Sequence, residues 1–428
     1  MPEFYVSAPG KVILFGEHSA VYGKPAIAAA LSLRAYLLVK PNVNTDEIVL
    51  EFPDIDLKQK WKVQDIPWES LAQYIRHNND APATSDELVP EIMDLLSDLL
   101  TDCNLSLHYI ACRCFLYLYS NLCSENVAGH HFCIRSTLPI GAGLGSSAST
   151  AVCLAAALSA LGGHIKAPVH KADDKVTLKD MKESDFIDAW SLMGEKCFHG
   201  NPSGIDNAVA THGGAVLYQR MTGPGNPSVR TNIRNFSAIK LLLCNSKVPR
   251  STAELVASVA TQNRKFPKVS NAMLDAMDHL VTDAYLIMST PFLDRSALLE
   301  LVNINHGLLV ALGVSHPSLE SIKLISDTQK LGATKLTGAG GGGCTITLLR
   351  DDISDEELNN AKLELENRGF ETFSTMLGGK GVGMLLAQDL SADQRESKFS
   401  FESFAALPNR EEIELSIGAS ILEQWRYW

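Results

Sequence analysis

The sequence predicts an α+β protein of two domains, and three observations carry that expectation. With 428 residues, 46% of them hydrophobic and 20% charged, the chain can bury more than one core. Strand-like and helical patterns occur in both halves, with no internal repeat to organise them. A stretch rich in Gly and Pro, Met221 to Arg230, interrupts both patterns near the middle. It sets the expected boundary, with residues 1–228 in the first domain and 229–428 in the second.

The first domain opens with a strand, Glu3 to Ala8, a turn at Pro9-Gly10-Lys11 and a second strand, Val12 to Phe15. Gly16-Glu17-His18 is the next break. Pro25 to Tyr36 is apolar and Ala-rich, and periodicity does not choose its type; a short helix and then a strand, Ala35 to Val39, is expected. Thr45 to Phe52 alternates as a strand, and Asn78 to Thr84 is a loop. Ser85-Asp86-Glu87 resembles an N-cap and acidic first turn for a helix ending near Leu100. Leu107 to Asn121 is a mostly buried helix, and Phe132 to Ser136 a strand.

That strand leads into Leu138-Pro139-Ile140-Gly141-Ala142-Gly143-Leu144-Gly145-Ser146-Ser147-Ala148-Ser149. Three glycines alternate with other residues, and the apolar segment Ala151 to Leu161 follows before Gly162-Gly163. A glycine loop opening a buried helix offers an anion unobstructed N–H groups and a positive dipole end. Taken alone, such a string is more often a tight turn before a core helix. Beyond it, His164 to Lys182 is a polar surface stretch and Ser184 to Phe198 a helix with Glu195 near its end. His199 to Asn207, which carries Asp206, is a dense turn run, and Gly214 to Tyr218 is a strand.

The second domain starts with a strand, Ile239 to Cys244. Helical patterning covers Thr252 to Lys265, Asn271 to Ser289, Arg295 to Leu312 and Ser318 to Leu331. The run Gly338 to Gly343 matches Gly-x-Gly-x-x-Gly, but the strand-like Cys344 to Leu349 follows where a dinucleotide fold needs a helix. So many glycines imply a backbone pressed against a ligand or against the glycine loop of the first half. Ser354 to Arg368 is a helix, Gly381 to Leu386 a final strand, and the tail from about Ala392 is polar and then weakly amphipathic.

A formal net charge of −12 argues against nucleic acid or an acidic membrane as partner. Nine scattered cysteines, with no Cys-x-x-Cys, point to free thiols in a reducing compartment and offer no zinc spacing. No secretory or lipidation signal reads from either end, and no apolar run suits a membrane span, so the cytoplasm is the expected location. No Walker A string occurs.

Individually, Lys11 reads as a surface lysine and Asp206 as a turn carboxylate. Brought to ~4 Å they would attract by about 4 kcal/mol at an effective dielectric of ~20. A hydroxyl between them could give its proton to the carboxylate while the ammonium steadies the alkoxide. Ser147 and Glu195 are oxygen ligands of the kind Mg²⁺ takes beside phosphates. Glu17 and His18, with Lys11, could surround a small polar substrate.

Three segments together are more specific than any of these residues. Pro9 to His18, Leu138 to Ser147 and Lys335 to Cys344 resemble, in order and separation, the three motifs of the GHMP small-molecule kinases. Ser7-Ala8-Pro9-Gly10-Lys11, His199 to Asn207 and Asn245-Ser246-Lys247-Val248-Pro249-Arg250 are similar to the mevalonate-phosphorylating branch, and the likeness spans roughly Val6 to Leu386. The resemblance implies a first domain like ribosomal protein S5 domain 2 and a ferredoxin-like second domain with the site between them. It implies transfer of the ATP γ-phosphoryl group to the 5-hydroxyl of (R)-mevalonate. Asp206 would be the base and Lys11 its partner, with Mg²⁺ on Ser147 and Glu195. Gly141, Ala142, Gly143, Leu144, Gly145, Ser146 and Ser147 would wrap the triphosphate, with Ser136 near the nucleotide. Glu17, His18, Arg250, Thr252 and Ala339 would line the acceptor side.

Prenyl diphosphates compete with ATP in related enzymes, so feedback inhibition is expected; homodimers occur in the family. Asp54 stands where the family pattern has an Asn against the nucleotide base, and the tail is longer than usual. Galactokinases continue Gly-Glu-His with Thr-Asp-Tyr, whereas Ser19-Ala20-Val21 follows here. A non-catalytic sensor of this fold would be expected to have lost Lys11, Asp206 or Glu195, and all three are present.

Overall fold

The structure is a computed structural model that describes residues 3–78, 81–139, 141–171, 174, 181–200, 202–220, 229–233, 236, 238–290 and 292–428. Most of the expected boundary (221–228), part of the polar stretch (172–173 and 175–180), Ile140 and Asn201 lie outside the described residues.

One strand, Pro25–Pro41, organises the molecule. The expected helix at its start is not formed. Both faces of Ala26–Leu31 are buried, so the segment has no polar face to show a period of two, and its alanines imitate a buried helix. Along one edge it pairs with Phe4–Phe15, from Phe4 opposite Val39 to Phe15 opposite Ile27. Its other edge is shared by three partners. Ala215–Gln219 pairs at residues 25–29, Glu371–Leu377 meets Leu31 through Leu377, and His130–Ser136 pairs at residues 35–41. Phe4–Phe15 is itself continuous; the expected turn at Gly10 is a register irregularity between Pro9 and Lys11.

In the first half, helices Ser106–Leu122, Ser146–Leu161 and Lys182–His199 pack over the sheet. Ser146–Leu161 is buried from Ala148 to Ala160, and its small side chains let Lys182–His199 approach at Gly194. The helix expected to start after Ser85 begins instead at Pro90, whose missing N–H suits the first helical position, and runs to Leu96 before a 3₁₀ turn to Leu100.

In the second half the antiparallel order is Gly332–Leu336, Cys344–Leu349, Ile239–Asn245 and Glu371–Leu377. The first strand in sequence sits between the third and the fourth, which is the ferredoxin-like arrangement. Helices Thr252–Lys265, Pro267–Met288, Arg295–Ala311 and Pro317–Thr328 form its first crossover, and Asp355–Asn367 its second.

The tail is folded. Ser391, Ser400 and Asn409 cap the short helices Ala392–Lys398, Phe401–Ala405 and Arg410–Ile413. Arg426–Tyr427 pairs with Gly383–Leu386, which lies beside Phe4–Ser7. Tyr5 and Tyr36 project from the sheet into a core with Phe399, Phe404 and Trp425, so the tail covers the face opposite the helices. The nine cysteines are free, and no helix among the described residues is long and apolar enough to cross a membrane.

Candidate active site

The site grows from the bulge at Gly10. A side chain there would overlap Leu138 and crowd the Leu144 carbonyl, so only glycine lets the first strand dock against the loop. The Lys11 N–H then donates to the Leu144 carbonyl at 2.8 Å, and the Ser149 hydroxyl donates to the Pro9 carbonyl at 2.7 Å. Gly141, Gly143 and Gly145 have φ of 74°, 80° and 78°, while Ala142 and Leu144 are buried between them. This alternation points successive N–H groups into one concavity. Gly145 caps the helix Ser146–Leu161 without a side-chain hydrogen bond, leaving the helix N-terminus open to an anion.

Lys11 runs beneath Gly145 to Asp206, with Nζ 3.1 Å from Oδ1. Asp206 lies in the first turn of Ile205–His212, a helix begun by Gly204 at φ 76°. The expected turn run ends at Gly204, and its last residues, 205–207, already belong to this helix, hidden in the sequence by the Pro and Gly before it. Asn207 donates to Ser191 at 3.2 Å and ties it to Lys182–His199. That longer helix delivers Glu195 and His199. Glu195 is 3% exposed, and its Oε1 has no hydrogen-bond partner. Burial, and then the Asp206 carboxylate, raise its pKa; the Ser147 hydroxyl, His199 and Lys11 oppose that rise. His199 Nε2 stands 3.1 Å from Ser147 Oγ and 3.7 Å from Glu195 Oε1, so three oxygen- or nitrogen-bearing side chains converge at the helix start. His199 was quoted in the sequence motif without a role.

Arg250 crosses between the halves. Its Nη2 donates to the Ala142 carbonyl at 3.0 Å, and its Nη1 to Gly342 at 3.2 Å and Thr337 at 3.5 Å. A Cβ on Gly143 or Gly343 would overlap the guanidinium. The Gly338–Gly343 run therefore presses on Arg250 and, at Gly340 and Gly341, on Val314; it reaches the first glycine loop through Arg250. It is a hairpin loop between Gly332–Leu336 and Cys344–Leu349, not a dinucleotide motif. Thr252 opens the helix two residues beyond Arg250 and is exposed. His18, at φ 63°, meets the Ala339 carbonyl through Nε2 at 2.8 Å.

Glu17 needs correction as a substrate-lining residue. It is 2% exposed, ion-paired with the fully buried Lys335, and accepts from Asn305 at 3.1 Å. Lys335 also donates to the Leu14 carbonyl at 2.9 Å; burial lowers its pKa and Glu17 opposes that. The pair locks the Gly-Glu-His turn to the second half. Ser136 sits at the loop entrance, where its N–H donates to Asp54 at 2.8 Å and its hydroxyl accepts from Leu138 at 3.1 Å. Asp54 also pairs with Arg135 at 2.7 Å, so both its oxygens are engaged by the protein.

A glycine loop opening a buried helix, a lysine–aspartate pair beneath it and a ferredoxin-like second half are the parts of a small-molecule kinase. Residues 108–214 match the family model for the GHMP kinases N terminal domain, and residues 290–369 the GHMP kinases C terminal model. The mevalonate kinase of Candida albicans is 55% identical over 99% of both chains. That of Saccharomyces cerevisiae is 44% identical over 94% of each, and that of Homo sapiens 37% identical over 90% of this chain and 96% of its own. Among solved structures, Methanococcus jannaschii mevalonate kinase superposes with a TM-score of 0.61 at 25% identity, covering 87% of this chain and 97% of its own. L. major mevalonate kinase, solved in complex with R-mevalonate, shares the fold with a TM-score of 0.60 at 24% identity, covering 88% of this chain and 96% of its own. The chain belongs to the mevalonate kinases of the GHMP kinase family.

Proposed function

We propose that the chain transfers the γ-phosphoryl group of ATP to the 5-hydroxyl of (R)-mevalonate, giving 5-phosphomevalonate and ADP for isoprenoid and sterol precursors. The observation that carries this reading is the Lys11–Asp206 pair, 3.1 Å apart beneath the glycine loop, in a chain of this family. Asp206 takes the hydroxyl proton, and the Lys11 ammonium steadies the oxygen as its charge develops. The N–H groups of Gly141 to Ser147 hold the triphosphate in line with that oxygen. Arg250, with His18 and Ala339 beside it, gives the acceptor's carboxylate a cation.

Ser147 and Glu195 fit a divalent ion. Glu195 Oε1 is buried without a hydrogen bond, and no cluster of three or more His, Cys, Asp or Glu forms a closed cage among the described residues. The remaining ligands would be phosphate oxygens and water, as Mg²⁺ prefers, and the ion would offset phosphate charge. Residues 1–228 carry the loop and the pair, and residues 229–428 supply Arg250 and the Gly338–Gly343 hairpin. Prenyl diphosphates compete for the same N–H cradle as ATP, and the protein works in the cytoplasm.

The test is ADP release with Mg-ATP against mevalonate, galactose and phosphomevalonate. Turnover on mevalonate is expected; turnover confined to either of the others would overturn the assignment.

A further inference from the structure

The folded tail takes no part in the reaction just described, yet a piece of it stands beside the glycine loop. A cavity of about 690 Å³ opens where His130–Ser136 hands over to that loop, a size suited to a small-molecule ligand. Ser136 and Leu138 line one side, Thr372 and Phe373 a second, and Asn409 and Arg410 of the tail a third. Leu138 is also the residue that packs against Gly10, one position before Lys11.

Two anchors hold the tail there. Buried Arg135 donates from Nη1 to the carbonyls of Phe404 at 3.1 Å and Ala405 at 2.7 Å, and from Nη2 to Leu407 at 2.9 Å. Phe404 and Ala405 close the short helix Phe401–Ala405 and Leu407 lies two residues beyond it, so one guanidinium ties this end of the tail to the sheet. The same guanidinium holds Asp54, and Asp54 holds the Ser136 N–H. Arg410 is the second anchor. Its Nη1 lies 3.0 Å from Glu371 Oε1, and its guanidinium lies 4.5 Å from the Phe373 ring centroid.

We propose that the tail segment Pro408–Glu411 is a wall of the nucleotide site, and that Arg410 is a positioning residue for the nucleoside end of ATP. This rests on the reading that the triphosphate lies on Gly141–Ser147. The γ-phosphate must face Lys11 and Asp206, at the start of the helix Ser146–Leu161. The nucleoside then leaves the loop on the side of its entry strand, where this cavity lies. Arg410, stacked on Phe373 and tied to Glu371, fixes the distance between the tail and the strand Glu371–Leu377. That distance sets how closely the nucleoside is held.

The experiment uses the full chain with Arg410→Ala and Arg410→Lys. It measures KM for ATP, KM for mevalonate, kcat and MgADP binding by calorimetry, with Gly143→Ala as a loop control. Arg410→Ala is expected to raise KM for ATP and Kd for MgADP roughly fivefold to tenfold, the loss of one stacked, ion-paired arginine. KM for mevalonate and kcat should stay within about twofold, and Arg410→Lys, which keeps the charge without the planar fork, should fall between. Unchanged MgADP binding in Arg410→Ala with weakened binding in Gly143→Ala would sink the tail proposal and leave the loop reading intact. Unchanged binding in both would sink the loop reading and the proposal with it. A second measurement needs no variant. Backbone hydrogen exchange of residues 401–413 should slow with MgADP and not with mevalonate; no slowing with MgADP overturns the proposal.

Discussion

Asp206→Asn removes a charge while keeping the shape of the side chain. At 3.1 Å, with an effective dielectric of ~20, the pair with Lys11 has a gross Coulomb attraction of about 5 kcal/mol. Little of that reaches stability, because both ions pay desolvation to come together; the expected change in unfolding free energy is about 1 kcal/mol in either direction. Turnover is a different matter. An amide cannot accept the hydroxyl proton, and a positioned general base contributes about 10²–10⁴ in rate. The variant should therefore lose about 10²–10⁴ in kcat, or about 3–5 kcal/mol of barrier lowering, while binding ATP within about threefold of the parent. Stopped turnover assays of ADP release, ATP calorimetry and urea unfolding on the same preparation separate these quantities. A kcat within about tenfold of the parent, with folding intact, would refute the assignment of Asp206 as base.

Three further outcomes follow from the geometry. Gly143→Ala forces a Cβ into the Arg250 guanidinium at φ 80°, so KM for ATP should rise at least about tenfold with modest loss of stability; an unchanged KM removes the loop from the phosphate site. Lys335→Met leaves Glu17 buried and uncompensated, and should cost about 3–5 kcal/mol by chemical unfolding. Adding Glu17→Gln should recover part of that loss, and a double variant no better than the single would show the pair to be uncoupled. His130, His131, His164, His212 and His306 all have pKa values lowered by burial. Each is neutral in the fold below the pH, about 6.5, at which the unfolded chain begins to protonate it, so the unfolded state binds more protons. Their stability contribution is present above about pH 6.5 and is lost as pH falls through the folded pKa values; a melting temperature flat between about pH 7.5 and 5.5 contradicts this.

What was legible in the sequence was chemistry with rare local signatures. The alternating glycines before an Ala-rich segment fix a loop and a helix together, and Cys344–Leu349 announces itself by β-branching and length. Lys11 and Asp206, far apart in the chain, were joined by motif resemblance rather than by any local pattern. Pro25–Pro41 was misread at its start because burial on both faces erases the alternation that distinguishes strands. Glu371–Leu377 was missed because its half-exposed face carries Glu, Thr and Ser, which read as loop. Glu17 was placed at the substrate by the motif resemblance of Gly16-Glu17-His18; its partner Lys335 comes from a strand more than three hundred residues away. No local pattern distinguishes a buried ion pair from two solvated charges. The tail read as polar and weakly amphipathic because its apolar residues are spaced among polar ones in short helices, and only the sheet face bearing Tyr5 and Tyr36 reveals what they pack against.

The shared strand Pro25–Pro41 makes the halves mutually dependent. At about 3.3 Å per residue its 17 residues form a beam of about 56 Å that carries the loop strand, the ferredoxin-like sheet and the tail's own scaffold on its edges. A chain severed between residues 228 and 229 would strip Leu377 from Leu31 and Gly383–Leu386 from Phe4–Ser7. Both fragments would then present raw β-edges of the kind that recruit other chains. Two units by topology, the molecule is one by assembly, because both lean on the same strand.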